Sequence, residues 1–273
     1  MVEWKRYNGA LVPVEPPHIE PTSEDVERGK KQGGYRFISY TTDFDCEEET
    51  AWWYVIKDDP IDLGTIKSSV RYKINKGLRY ADIRRIDHRA LGRELYACYC
   101  KAQARYRAHD GHVSEEAFLA ALQQDNAEYY GAFFRENGQL IAYVKNVVRG
   151  DCVDMSVIKY DPDYLKYQIS AALTYRVIFD YLNGGQCKYV LDGQRAIRHK
   201  TNIQDYLEDY FGFRKAYGRL QMVYSPVMKV LVTLLYPFRT LIERLAGDRV
   251  LLNNVASVLK MEEIRRACRN TTF

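Results

Sequence analysis

The sequence predicts an α+β (α/β) protein built on a mixed, mostly antiparallel sheet flanked by helices. Three observations carry this. Hydrophobic residues make up 47% of the 273 residues and charged residues 28%, enough apolar surface to offset the entropy of ordering the chain. Short runs rich in β-branched and aromatic residues alternate with segments whose apolar positions recur every three and four residues. Asn137-Gly138 and Arg149-Gly150-Asp151 then mark tight turns between strand-like runs, so the strands they join run antiparallel.

The elements follow in order. Residues 1–33 contain VPVEPPHIEP and GKKQGG and read as an extended N-terminal arm. Residues 35–60 read as a hairpin, YRFISYTT against WWYVIK, with the acidic DFDCEEET between them. The main domain is expected over 67–225. Its first helix carries Leu63, Ile66, Val70 and Ile74 on one stripe and ends at Gly77. The strand YADIRRI follows, then a helix from about His88 to Arg107. A second helix begins at the N-cap of SEEAFLAALQQD. Residues 127–160 hold three strands. A helix is expected over roughly Asp163–Leu182, with Leu165, Ile169, Leu173 and Val177 aligned and Gly184-Gly185 ending it. The strand CKYVLD, the loop GQRAIRHKT, the short helix NIQDYLEDYF and the strand RKAYGRLQMVYS complete the domain. Residues 226–273 form a helical tail that Pro237 should kink or break.

Composition excludes several classes. Forty Lys and Arg against 36 Asp and Glu leave +4, too little for a dedicated DNA-binding protein. The six Cys form no CxxC pair and have no His at ligand spacing, which reads as reduced thiols of a cytoplasmic protein without a metal. No signal-peptide core and no apolar run of spanning length is present. The run 227–245 fits core or homodimer packing. With Lys229, Arg239 and Arg244 it would also suit a helix lying on an anionic surface, such as the inner face of a membrane.

Two stretches carry candidate chemistry. Residues 67–107 are basic, with Arg71 and Lys76 among many cations and only Asp82, Asp87 and Glu94 opposing them. Such a stripe would attract CoA phosphates or a tRNA backbone, or it is a solvated helix face. In DGQRAIRHKTN, residues 192–202, a strand end leads through Gly193 into a helix start, a usual place for a site. An amine must lose a proton to attack an acyl carbon, and His199 or Asp192 would take it. Arg195 would grip an anionic substrate group, with Lys200, Thr201 and Asn202 beside it and Thr201 or Asn202 capping the next helix.

SSVRYKINKGLRYADIRRI (68–86) and KYVLDGQRAIRHKTNIQDYLEDYFGFRKAY (188–217), in this order, resemble segments of the GNAT superfamily of acyltransferases, nearest its Fem-type, peptidyltransferase-like branch. The resemblance spans roughly residues 35–225, with residues 34–66 standing for part of a first GNAT-like element. It implies a GNAT-like fold and transfer of an acyl or aminoacyl group to an amine, on a cell-envelope or amino-sugar precursor. It implies acyl-CoA or aminoacyl-tRNA as donor and a small-molecule, glycan or peptide precursor as partner. It also implies that the backbone of Ser156, Val157 and Ile158 faces the acyl carbonyl, and that Tyr206 or Tyr210 protonates a leaving group. The chain departs from the acetyl-CoA pattern at one place. Where a glycine-rich pyrophosphate loop is expected it reads YDPDYLKYQISAAL, with Asp161 and Asp163. Fem-type proteins, which take the acyl group from aminoacyl-tRNA, fit that departure better. Two other readings stand beside transfer: a non-catalytic GNAT-like module binding a peptide, glycan or protein, and an RNA-binding protein using the 67–107 stripe.

Overall fold

The computed structural model describes residues 1–105, 113–197, 202–247 and 249–270. They group into two compact units. The first comprises 1–55, 194–202 and 214–273, and the second comprises 56–193 and 203–213. This division differs from the expected one at 33, 66 and 225, because the strand after the last short helix returns to the unit where the chain began.

In the first unit, β1 (Trp4–Tyr7) and β2 (Ala10–Pro13) form a hairpin through Asn8-Gly9, both at positive φ. Thr22 and Asp25 make a reciprocal cap on α1 (Ser23–Lys31). Asp25 also accepts from the Val2 amide at 3.0 Å, and its carbonyl accepts from the Trp4 indole at 3.0 Å. Val2, Trp4, Leu11, Val26 and Ile38 close into one buried cluster. Residues 1–33 are therefore folded rather than an extended arm: the prolines end β2 or lie in the connection before α1, leaving both elements intact.

β3 (Phe37–Cys46) runs parallel to β2 and antiparallel to β10 (Arg214–Tyr224). β10 lies between β3 and β4 (Trp52–Lys57), so the expected hairpin over 35–60 does not form. The acidic connection explains the insertion. Arg214 on β10 pairs with Asp45 at 2.6 Å, and Arg219 pairs with Asp43 at 3.1 Å and with Glu48. Acids of this connection are thus partners of a strand more than 160 residues later.

The tail follows. α7 (Pro226–Leu235) and α8 (Arg239–Ala246) are separated by a 3-10 turn at Tyr236–Phe238, where Pro237 breaks the helix. α9 (Val250–Asn270) packs on β10, with Ile264 and Cys268 against Leu220 and Met222. Glu262 is buried in α9. Burial works to raise its pKa, but Arg265, Arg266 and Tyr224 donate to it at 2.7, 2.7 and 2.8 Å and hold it at about 2. In α7 and α8 only Val232 and Ala246 are buried, so the expectation of core packing for 227–245 is corrected.

The second unit is the larger sheet. β5 (Ala81–Ile86), β6 (Glu128–Phe134), β7 (Leu140–Arg149) and β8 (Cys152–Tyr160) pair antiparallel in sequence, and β9 (Tyr189–Gln194) joins β8 in parallel. α3 (Gly92–Arg105) and α4 (Glu115–Gln123) pack on it through Leu95, Cys98 and Leu122 against Tyr129, Leu140 and Tyr143. α2 (Ser68–Tyr80) packs on α5 (Ile169–Ile178), which lies across β5, β6 and β7. The helix expected from 163 to 182 is interrupted. A 3-10 turn covers Pro162–Tyr167, Gln168 takes φ 63, and α5 ends in a π-turn at Phe179–Asn183. There the Asn183 amide both accepts from the Ile61 N–H and donates to the Ile61 carbonyl at 3.0 Å. α6 (Ile203–Phe211) completes the unit.

The α2–α5 contact is set by Gly77. A Cβ there would lie 2.5 Å from Ala172 Cβ and 2.7 Å from the Gln168 carbonyl oxygen. Gly→Ala in an open helix interior gains about 1 kcal/mol. Gly77→Ala is expected instead to destabilise by about 1–3 kcal/mol, because the two backbones must separate. Urea unfolding measures this, and a stabilised variant would contradict the close approach.

Candidate active site at the parting of two strands

β8 and β9 pair at Cys152–Tyr189, Val153–Val190 and Asp154–Leu191, and their ladder ends there. β8 continues to Tyr160 on its β7 side, while β9 runs on through Asp192 and Gly193, the latter at φ 77. Beyond Asp154 and Leu191 each strand therefore has one edge without its neighbour, and an edge exposes backbone N–H and C=O groups. The departure coincides with a bulge. Lys145 faces Val157 and Asn146 faces Met155, so Ser156 is an extra residue on β8. Ser156 is exposed, Val157 and Ile158 are half-buried, and Met155 is buried. The segment expected to face an acyl carbonyl is thus bulged, paired with β7 on one side and without β9 on the other.

Asp192 stands on the other side of the parting, one residue past the last pair. It is half-buried, and burial, followed by the charge of Asp154, pushes its carboxyl from 3.8 up to about 7. Asp154 is itself paired with Arg149 at 3.4 Å. A carboxyl poised near neutrality suits proton transfer to and from an amine.

The other expected residues are distributed as follows. Arg195 belongs to the first unit. Its amide bonds the Trp53 carbonyl at 2.8 Å, its guanidinium donates to the Ala51 carbonyl, and it lies 4.5 Å over the Trp53 ring. Burial lowers its pKa. Its fork is thus largely occupied by its own unit. Asn202 is exposed just before α6. His199, Lys200 and Thr201 lie outside the described residues. Tyr206 is half-buried on α6, its ring tilted against that of Tyr210 at 4.5 Å between centroids; its hydroxyl oxygen is buried, and burial pushes the phenol up. Arg71 donates to the Leu63 and Gly64 carbonyls at 3.3 and 3.5 Å and so pins the connection leading into α2. Lys76 is half-buried on α2, and neighbouring Lys73 lies 4.5 Å over the Tyr210 ring.

The start of α5 does not carry the cradle that a CoA pyrophosphate would need. Gln168 caps it in the left-handed region, and the glycine-bearing face of α2 lies against its first turn. Just upstream, Asp161 is buried, caps the Asp163 amide at 3.1 Å and pairs with Lys101 at 2.5 Å. A carboxylate, rather than a run of open amides, borders that end. Among the described residues no three potential metal ligands cluster.

Sequence reasoning missed Asp154 and Asn146. Asp154 is the one acid inside CVDMSVIKY, and its place between Val153 and Met155 was the available signal. Asn146, opposite the bulge, is fully buried, and neither amide atom has a partner among the described residues. Nothing in the local sequence distinguishes it from a solvated strand position.

The raised carboxyl makes a stability prediction. Unfolding returns Asp192 to its ordinary 3.8, so between about 4 and 7 the native state binds more protons than the unfolded state. Native stability is therefore drawn down as pH rises through that window. Asp192→Asn removes the contribution, and the variant is expected to gain stability relative to wild type progressively from about pH 4 to pH 7 and to hold a constant gain above that. Denaturant titrations at several pH values check this. An offset that is constant with pH would contradict it.

No protein-family model matches the sequence, and no curated protein matches it. Solved structures do. L-PGS from Bacillus licheniformis superposes with a TM-score of 0.52 at 15% identity, covering 86% of this chain and 85% of that one. FemX superposes with a TM-score of 0.56 at 8% identity, covering 77% of each chain. A C-terminal DUF2156 domain from Agrobacterium fabrum gives 0.52 at 9% identity, covering 85% and 83%. With its mixed, mostly antiparallel sheet flanked by helices, the chain has the GNAT-like fold of the Fem type.

Proposed function

We propose that the protein is an N-acyltransferase that moves an aminoacyl group from aminoacyl-tRNA to an amine on a cell-envelope precursor. The observation that carries this reading is the parting of β8 and β9 with Asp192 at one lip and the bulged Ser156 edge at the other. The acceptor amine attacks the ester carbonyl, the new C–N bond forms, and the carbonyl oxygen gains negative charge. A backbone N–H of the Ser156–Ile158 segment that faces away from β7 stabilises that oxyanion. The Asp192 carboxylate takes the proton the amine loses. The ester C–O bond breaks, and the leaving ribose oxygen is protonated as the carbonyl reforms. The likeness to FemX and L-PGS supports the fold on which such chemistry is run. The start of α5, bordered by Asp161 and faced by α2, favours a tRNA ester over a CoA thioester as donor.

A second reading is a non-catalytic module that keeps the fold and uses the same parting to bind a peptide or glycan. It is favoured by the engagement of Arg195 within its own unit and by the lack of a glycine cradle. Incubating the protein with a panel of charged tRNAs, acyl-CoAs and amine acceptors separates the two. Transfer from aminoacyl-tRNA is expected. Binding of acceptor with no transfer from any donor would establish the module instead.

Two substitutions sharpen the test. Asp192→Asn is expected to lower kcat by about 100-fold or more, the usual worth of a general base. In wild type kcat should rise with pH and level off above about 7, since the carboxyl must be free of its proton to act. Asp154→Asn removes the second carboxylate and is expected to move that midpoint to lower pH while retaining activity. A profile that keeps its midpoint in Asp154→Asn would contradict the coupling.

A further inference from the structure

α7 and α8 carry an apolar stripe on the surface of the first unit. Val227, Leu231, Leu234, Phe238, Leu241 and Leu245 follow one another at steps of four and three, straight through the 3-10 turn that separates the helices. All are exposed: Val227 to 70%, Leu234 to 63% and Leu241 to 55%. Singly exposed apolar residues are ordinary, but a continuous row over two helices is not. The buried positions of these helices, Val232 and Ala246, fasten them to the unit, so the row is not a misplaced core face. Cations stand on the same helices and just after them: Lys229, Arg244 and Arg249 are exposed, against the exposed acid Glu243. Arg239 lies 4.5 Å over the Tyr236 ring at the turn.

We infer that this face docks on an anionic lipid surface, with α7 and α8 lying in the interfacial plane. An apolar row flanked by Lys and Arg matches acyl chains below and phosphate headgroups beside it. No helix among the described residues is long and apolar enough to cross a membrane, so the contact is peripheral. A second copy of the chain is a poorer occupant. A self-complementary contact would bring the rim of Lys229, Arg244 and Arg249 close to its own image. The inference is independent of the transfer reading, and it adds that the face would bring the chain to lipid-borne molecules.

The test is co-sedimentation of the full chain with vesicles of phosphatidylcholine alone, or with about one third phosphatidylglycerol. Binding to the anionic vesicles is expected, at least about tenfold weaker on the neutral ones and weakened by salt. Leu234→Glu with Leu241→Glu should lower anionic-vesicle binding by about tenfold or more, with an unchanged melting temperature because both sites face solvent. Lys229→Glu with Arg244→Glu should weaken it by at least several fold. Equal binding by wild type and the leucine variant would overturn the inference. So would a wild-type dimer in sedimentation velocity that the leucine variant dissociates, with no vesicle binding by either. Transfer to a water-soluble acceptor should survive in the leucine variant, so loss of docking and loss of chemistry are read separately.

Discussion

Two parallel strands that share three pairs and then separate impose the central constraint on this molecule. A sheet interior normally leaves no backbone group without a partner, and parting two strands exposes a row on each. Such an opening persists only where the strands are held apart from their outer sides. On β8 the outer side is the long ladder to β7, which the bulge at Ser156 bends without breaking. Because the opening admits polar contents, a carboxyl can stand at its lip. That carboxyl is largely removed from water and holds its proton unusually well. The geometry and the acidity of Asp192 have the same origin.

The second constraint is the approach of α2 to α5 at Gly77. It fixes where the basic face of α2 lies and turns Arg71 to the task of holding the chain that enters the helix. It also sets α2 against the helix start at which glycine-loop acyltransferases hold a diphosphate. On the proposed reading the donor is recognised elsewhere than at that helix end. Buried Asp161, just upstream, is paired with Lys101.

Much of this was legible in the sequence because it is local. The turns at Gly138 and Gly150 fix the β6–β7–β8 meander, and Ser114 starts α4 where its hydroxyl caps the helix. Asp192 stood out as a strand end running into a glycine, and the resemblance to GNAT-type acyltransferases pointed to the Ser156–Ile158 segment. What was not legible is long-range. β10 inserts between β3 and β4 because Arg214 and Arg219 find Asp45, Asp43 and Glu48, a pairing no window of sequence contains. The N-terminal residues fold because Asp25 gathers Val2 and Trp4, although their proline content reads as an arm. Asp154 became visible only once Leu191 was seen beside it, and the same nonlocality hid the burial of Asn146.

The most direct measurement is a carbon-detected NMR titration of the Asp192 side-chain carboxyl in the folded protein, assigned with Asp192→Asn. A midpoint near 7, shifting downward in Asp154→Asn, is the result expected of a carboxyl held between parted strands opposite a second acid. A midpoint near 4 that ignores Asp154 would mean that water fills the opening, and the assignment of Asp192 as the base would fall.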